Sequence, residues 1–254
     1  MIQEIIKIAE KAGNAILEIY HKDFSIEYKD DKSPLTEADK VSNRIIVEAL
    51  KEITSEIPII SEENKLVEYS ERKNWTKCWV VDPIDGTKEF IKKNGEFTVN
   101  IALIENGVPV LSVLGVPAQN KIYYAEKNKG SFVTENAVTK KLNINDAITD
   151  TIRIVGSRSH QTPELLAYVE EQKKKYKNVD FVAAGSSLKF CLIAENKADI
   201  YPRLGPTMEW DTAAGQLIAI EAGAEVLVWE TKEPLQYNRE NLLNPYFIVQ
   251  PKGF

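Results

Sequence analysis

Apolar positions recur at spacings of three and four along the first twenty residues. Ile2, Ile5, Ile6, Ala9, Ala12, Ile16 and Ile19 share one stripe, which predicts an amphipathic first helix. A second helix is predicted from Thr36, where T-E-A-D has the form of a capping box and Ile45, Ile46, Ala49, Leu50 and Ile53 supply the apolar face. Two short apolar runs, P-I-I-S-E-E and C-W-V-V-D-P, then read as buried strands whose ends carry acids. From Phe97 to Val133 the runs FTVNIALI, PVLSVLGV and KIYYA are divided by Glu105-Asn106-Gly107, Gln119-Asn120-Lys121 and Asn128-Lys129-Gly130, so hairpins are predicted there. From about residue 150, strand and helix patterns alternate through TIRIVGS, ELLAYVEEQKKK, VDFVAAG, SSLKFCLIAE, DIYPR, WDTAAGQLIAIEAGA and EVLVW, the mark of α/β layering. A soft boundary near 135 divides residues 1–135, helices plus an antiparallel sheet, from residues 136–254, an α/β half. No linker rich in Pro, Gly or Ser separates them, so rigidly packed halves are expected.

Composition narrows the function more than the fold. With 254 residues, 43% hydrophobic and 28% charged, the chain has the make-up of a soluble protein with a sizeable core. A net charge of -6 speaks against a binder of nucleic acid polymers, which needs excess Lys and Arg to displace counterions. A local basic pocket can still take a small anion. Cys78 and Cys191 are far apart, so neither a disulfide framework nor a Cys-rich metal site is indicated, and a reducing cytoplasm fits. The first twenty residues carry charges every few positions, so neither a signal peptide nor an integral membrane segment is expected.

The densest chemistry lies in W-V-V-D-P-I-D-G-T, residues 79 to 87, where a strand runs into a turn presenting two carboxylates. Pro83 fixes its own φ, Gly86 admits a ligand close to the backbone, and the N–H groups beyond can receive phosphate oxygens. Hard cations such as Mg²⁺ want oxygen ligands, so Asp82 and Asp85 suit two ions. Glu62 or Glu63 at the neighbouring strand end could complete one ion and Asp211 the other. Taken singly, each acid has a plainer reading. Asp82 and Asp85 are turn formers, Ser61-Glu62-Glu63 is a solvated loop, Asp211 is an N-cap, and Asp39 is the acid of the capping box. For a second anion, Gly185-Ser186-Ser187 opens a helix after a strand, with Lys189, Arg203 and His160 as cationic or polar candidates. Capping by Ser186 and solvation of the others is the plainer reading there.

Order and context favour the chemical reading. T-E-A-D at 36 to 39, S-E-E at 61 to 63, D-P-I-D-G-T at 82 to 87 and W-D-T-A-A-G at 210 to 215 together resemble the signature set of the inositol monophosphatase superfamily of metal-dependent, lithium-sensitive phosphatases. The match spans nearly the whole chain. DGTKEFIKKNGEFTVNIAL, S-R-S-H at 157 to 160, GSSLKFCLIAE at 185 to 195 and YPRLGPT at 201 to 207 are similar to the bacterial bisphosphate nucleotidases within it. The resemblance implies a layered αβαβα sandwich, with α/β and α+β parts, and two or three Mg²⁺ ions per site. It also implies hydrolysis of adenosine 3',5'-bisphosphate to AMP and phosphate, clearing a by-product of sulfate assimilation.

The resemblance further assigns roles. Glu62, Asp82 and the Ile84 carbonyl hold the first ion; Asp82, Asp85 and Asp211 hold the second. The choice of Glu62 over Glu63 rests on the family alone. Thr87 and Asp39 become the pair that orients the attacking water. Gly86, His160, Ser186, Lys189 and Arg203 join the metal ligands and Thr87 as substrate contacts. Rival expectations are inositol monophosphatase or fructose 1,6-bisphosphatase activity on the same fold, and a non-catalytic nucleotide sensor. No C-x₅-R loop, R-H-G context or D-x-D motif supports another phosphatase chemistry, and no Gly-rich nucleotide loop suggests a kinase or dinucleotide enzyme.

Overall fold

The structure, a computed structural model, describes residues 1–28, 34–144, 148, 150–157 and 162–254. Helix α1 (Ile2–Tyr20) buries Ile5, Ala9, Ala12 and Ile16 of the predicted stripe, and Ile8 beside them. A hairpin of β1 (Ile26–Tyr28) and β2 (Pro34–Thr36) leads into α2 (Glu37–Ile53), which buries Ile46 and Leu50. Strand β3 (Ile59–Ser61), α3 (Tyr69–Arg72), β4 (Lys77–Asp85) and the short α4 (Thr87–Ile91) follow. Strands β5 (Thr98–Glu105), β6 (Val108–Val116), β7 (Lys121–Glu126), β8 (Gly130–Glu135) and β9 (Val138–Leu142) then form an antiparallel meander. Among the described residues these make a seven-stranded sheet ordered β3-β4-β5-β6-β7-β8-β9, in which only β3 and β4 are parallel. The last strand escapes pattern reading. V-T-K-K-L is an exposed edge strand with a single buried residue, Leu142, so it shows no apolar alternation.

The second half contributes β10 (Thr151–Gly156), α5 (Pro163–Gln172), β11 (Asn178–Ala183), α6 (Leu188–Ala194), β12 (Tyr201–Arg203), α7 (Glu209–Glu221), β13 (Ala224–Val228) and β14 (Phe247–Pro251). Strands β10 and β11 are parallel; β12, β14 and β13 are antiparallel in that order. A bridge between Ile154 and Ile200 joins the two sets. The final strand, β14, lies beyond a polar stretch and was not anticipated.

Layering follows from which faces are apolar. Helices α1 and α2 cover one face of the large sheet through Ile5, Ile16, Ile46 and Leu50 against Trp79, Val81, Ile101 and Val113. Its other face, with Val80, Ala102 and Leu114, packs on Ala213, Ala214, Leu217 and Ile218 of α7. Because α7 lies between two sheets it is buried almost all round, unlike the amphipathic α1. Tyr168 and Val169 of α5 close the outer face of the second sheet over Ile152, Ile154 and Ile248. The result is the expected αβαβα sandwich. A buried arginine ties the two halves. Arg72 donates to Asn238 Oδ1 at 2.9 Å and to the carbonyls of Arg239 and Glu240 at 3.0 and 3.1 Å, and Asn238 Nδ2 donates back to the Arg72 carbonyl at 2.9 Å.

Candidate active site

Parallel pairing sets Ser61 beside Val81, so the next residues, Glu62 and Asp82, come level at the ends of β3 and β4. The Glu62 N–H donates to the Val81 carbonyl at 3.2 Å. Asp82 is fully buried, and its Oδ1 accepts from the Ile84 N–H at 3.0 Å, which folds the Asp-Pro-x-Asp turn over its own backbone. Pairing with β5 becomes irregular between Asp82 and Asp85, and that bulge brings the second carboxylate toward the first. Asp211 arrives from α7. It is not the N-cap, a place held by Met208, but the third helical residue, whose Oδ2 accepts the Met208 N–H at 2.9 Å. One carboxylate oxygen from each of Asp82, Asp85 and Asp211 lies within 4.8 Å of the others.

Burial and mutual repulsion make ionisation of these acids unfavourable. Burial raises the Asp82 carboxyl well above the usual carboxylate range, and the charges of Glu62, Asp85 and Asp211 push it further. Asp211 is pushed up to about 8, by burial and then by Asp85. Asp85 is raised by burial too, against the opposing pull of the Ser187 hydroxyl, Lys189, the Ser187 N–H and Arg203. Oxygen donors alone, pressed together without a cation, are the donor set that a hard divalent ion fits. Glu62 acts on both Asp82 and Asp211.

Asp39 serves two purposes with its two oxygens. Oδ2 closes the capping box, accepting from Thr36 N–H at 2.7 Å and Thr36 hydroxyl at 2.6 Å. Oδ1 faces Thr87, whose hydroxyl lies 3.4 Å away and 3.5 Å from the Ile84 carbonyl. The cap and the chemical role are therefore compatible. Ser42 steadies the same turn by donating to the Pro83 carbonyl at 2.8 Å.

Two tight turns, one from each half, meet beside the acids. Gly86 has φ +92°, and a Cβ there would stand 3.1 Å from the Ser186 Cβ. A Cβ on Gly185 would stand 2.7 Å from Glu89 Cγ and 2.9 Å from the Glu96 carbonyl, so only glycine lets the turns interlock. Glu96 also accepts the Gly185 N–H at 2.9 Å. Ser187, and not Ser186, precedes α6, while Ser186 holds φ +42°. Lys189 is buried, contrary to a solvated reading, and donates to the carbonyls of Ser186 at 2.5 Å and Ala184 at 3.3 Å. Burial and the Arg203 charge lower it to about 8. Asp85, Gly86, Ser186, Lys189, Arg203 and Asp211 line one cavity of about 140 Å³. His160 lies outside the described residues.

The contacts assigned from the sequence omit several side chains that line the cavity, Ser187, Glu89 and Tyr201 among them. Ser187 gives its N–H to Asp85 Oδ2 at 2.5 Å and its hydroxyl to the same oxygen. Glu89 and Tyr201 line the cavity. The signal for Ser187 was its place in Gly-Ser-Ser; nothing local marked the other two.

The layered fold and its clustered acids define a phosphatase, and the chain belongs to the inositol monophosphatase family, whose profile matches residues 1–251. The chain is 45% identical over 251 residues to the 3'(2'),5'-bisphosphate nucleotidase CysQ of Salmonella typhimurium LT2, covering 98% of this chain and 99% of that protein. It is 43% identical over 252 residues to the protein of that name from Escherichia coli K12, with 98% and 99% covered. Among solved structures, CysQ from Bacteroides thetaiotaomicron superposes with a TM-score of 0.89 at 45% identity, covering 99% of this chain and 97% of that one. The suhB protein from Bartonella henselae shares the fold, with a TM-score of 0.76 at 20% identity and 98% and 93% covered.

Proposed function

We propose that this chain is a cytoplasmic, Mg²⁺-dependent 3'(2'),5'-bisphosphate nucleotidase that converts adenosine 3',5'-bisphosphate to AMP and phosphate. The observation that carries the chemistry is the convergence of Asp82, Asp85 and Asp211 within 4.8 Å. Likeness over nearly full length to proteins named for this activity supports the substrate. Glu62, Asp82 and the Ile84 carbonyl would hold one ion, and Asp82, Asp85 and Asp211 a second. Bound there, Mg²⁺ supplies positive charge to the phosphoryl and leaving oxygens.

The chain's own groups handle the water. The Thr87 hydroxyl donates toward Asp39 Oδ1, which leaves its oxygen lone pairs to accept from a water molecule. As that water attacks phosphorus, its proton is drawn through Thr87 toward the Asp39 carboxylate, the P–O bond to the ribose 3'-oxygen breaks, and that oxygen takes up a proton from solvent to leave as the AMP hydroxyl. Asp39 is fixed for this by the two Thr36 bonds on its other oxygen. Gly86, Ser186, Lys189 and Arg203, which line the cavity, receive the nucleotide's second phosphate and its sugar. Turnover of adenosine 3',5'-bisphosphate, inositol 1-phosphate and fructose 1,6-bisphosphate in one phosphate-release assay tests the reading. The nucleotide should give the highest kcat/KM, and a large preference for either sugar phosphate overturns the assignment.

A further inference from the structure

Behind the acid cluster runs a buried chain of hydrogen bonds. Asn100 and Ser187 are both buried. Asn100 stands on β5 directly opposite Asp82, and its Nδ2 donates to Ser187 Oγ at 2.7 Å. Its Oδ1 meets no hydrogen-bond partner among the described residues. The amide thus presents its donor end to Ser187, whose oxygen acts there as acceptor. A serine has one hydroxyl proton to give. With Asn100 supplying a proton from outside, the Ser187 proton goes to Asp85 Oδ2 or to the Asp211 carbonyl at 2.8 Å. A carboxylate is the stronger acceptor, and the Ser187 N–H already points at the same Oδ2 from 2.5 Å.

We propose that Ser187, kept as a hydroxyl donor by Asn100, is a positioning residue that fixes the rotation of the Asp85 carboxylate, occupying Oδ2 and turning Oδ1 toward the divalent cation. The terminal torsion of an aspartate is broad and roughly two-fold, so one backbone N–H alone leaves the carboxylate free to swing. Two donors from one residue remove that freedom before the ion arrives. Ser187 acts through Asp85, whose Oδ2 takes both of its donors. The role rests on Asp85 being a cation ligand, as the proposed function has it.

The test measures Mn²⁺ binding to the metal-stripped full-length chain by electron paramagnetic resonance, for the unaltered protein, Ser187→Ala and Ser187→Cys. Both variants should bind Mn²⁺ about tenfold more weakly, the lower end of what losing an outer hydrogen bond to a metal ligand costs. Affinities are compared at a temperature well below the melting transition of each variant, because Ser187→Ala also takes the acceptor from the buried Asn100 Nδ2. A purely structural serine would lower the melting temperature and leave Mn²⁺ affinity alone, which overturns the proposal. If Ser187→Ala does not fold, Ser187→Cys keeps the side-chain volume with a weak donor, and parent-like affinity in that variant is equally decisive against it. Unaltered protein that binds no Mn²⁺ overturns the proposed function as well, whereas equal binding by parent and variants removes only the role of Ser187.

Discussion

On one side of the cavity Asp82, Asp85 and Asp211 crowd together, and among the described residues no basic side chain forms an ion pair with them. On the other side Lys189 and Arg203 are engaged by their own backbone, Lys189 with the Ser186 and Ala184 carbonyls and Arg203 with the Pro206 carbonyl at 2.8 Å. The acid side stays crowded by itself: Ser187, Lys189 and Arg203 ease Asp85 in part, while burial and the charges of Glu62, Asp85 and Asp211 all push Asp82 up. On the cationic side the Lys189 ammonium is held by carbonyls, while the buried Arg203 Nε meets no hydrogen-bond partner among the described residues. One wall is built to be neutralised, and the other to hold its shape while an anion arrives.

The most damaging way to break that contrast is to remove an acid. Asp82→Asn should lower kcat by at least about 10²–10³-fold, the scale of losing one charge-stabilising group in the transition state. The metal-free variant should melt at or above the parent temperature, since a repelling charge has gone. Calorimetry showing a much lower metal-free melting temperature, or an assay showing normal turnover, breaks the picture of the acid wall. Arg203→Ala touches the other wall and should be milder. KM for adenosine 3',5'-bisphosphate should rise about tenfold, equivalent to ~1.4 kcal/mol, with kcat little changed. An equal rise for a nucleotide carrying only the 3'-phosphate speaks against Arg203 serving the second anion.

The smallest expected effect is on pH and stability. Asp82 and Asp211 hold their protons more tightly folded than unfolded, Asp211 titrating near about 8. Such acids stabilise the fold most below their unfolded value of about 4, and that contribution fades as pH climbs through the folded value. Melting curves in chelator should therefore drop between about pH 5 and about pH 8, and saturating Mg²⁺ should abolish the drop. A metal-free melting temperature that rises over this range contradicts the direction assigned to both acids.

What could be seen in the sequence was whatever is written within a few residues. The capping box of α2 spans the four residues Thr36 to Asp39, and the two strand ends at Ser61-Glu62 and Val81-Asp82 announce themselves by apolar runs stopping at acids. Hairpin turns around Asn106-Gly107 and Asn128-Lys129-Gly130 were legible for the same reason. Strands β9 and β14 were not, because one is a polar edge and the other follows a long polar segment. Burial of Lys189 depends on Tyr201 and on carbonyls that only the folded loop brings near, so its sequence neighbours give no hint. Ser187 is bonded to a side chain 102 residues away, a relation no local pattern encodes. For Asp39 the sequence offered capping and proton handling as alternatives, and only the folded chain shows one oxygen on Thr36 while the other faces Thr87.

The inner face of the seven-stranded sheet is completed by α7, whose residues 209–221 come well after the sheet's last strand. A nascent chain leaving the ribosome thus displays Val80, Ala102, Leu114 and Tyr123 to solvent until more than four-fifths of the chain has been made. Native structure in this region therefore waits for α7, and the intervening period is when a chaperone has something to hold. Amide hydrogen exchange on a fragment ending before Glu209 reads this directly: β5 and β6 should exchange freely there and be protected in the full chain.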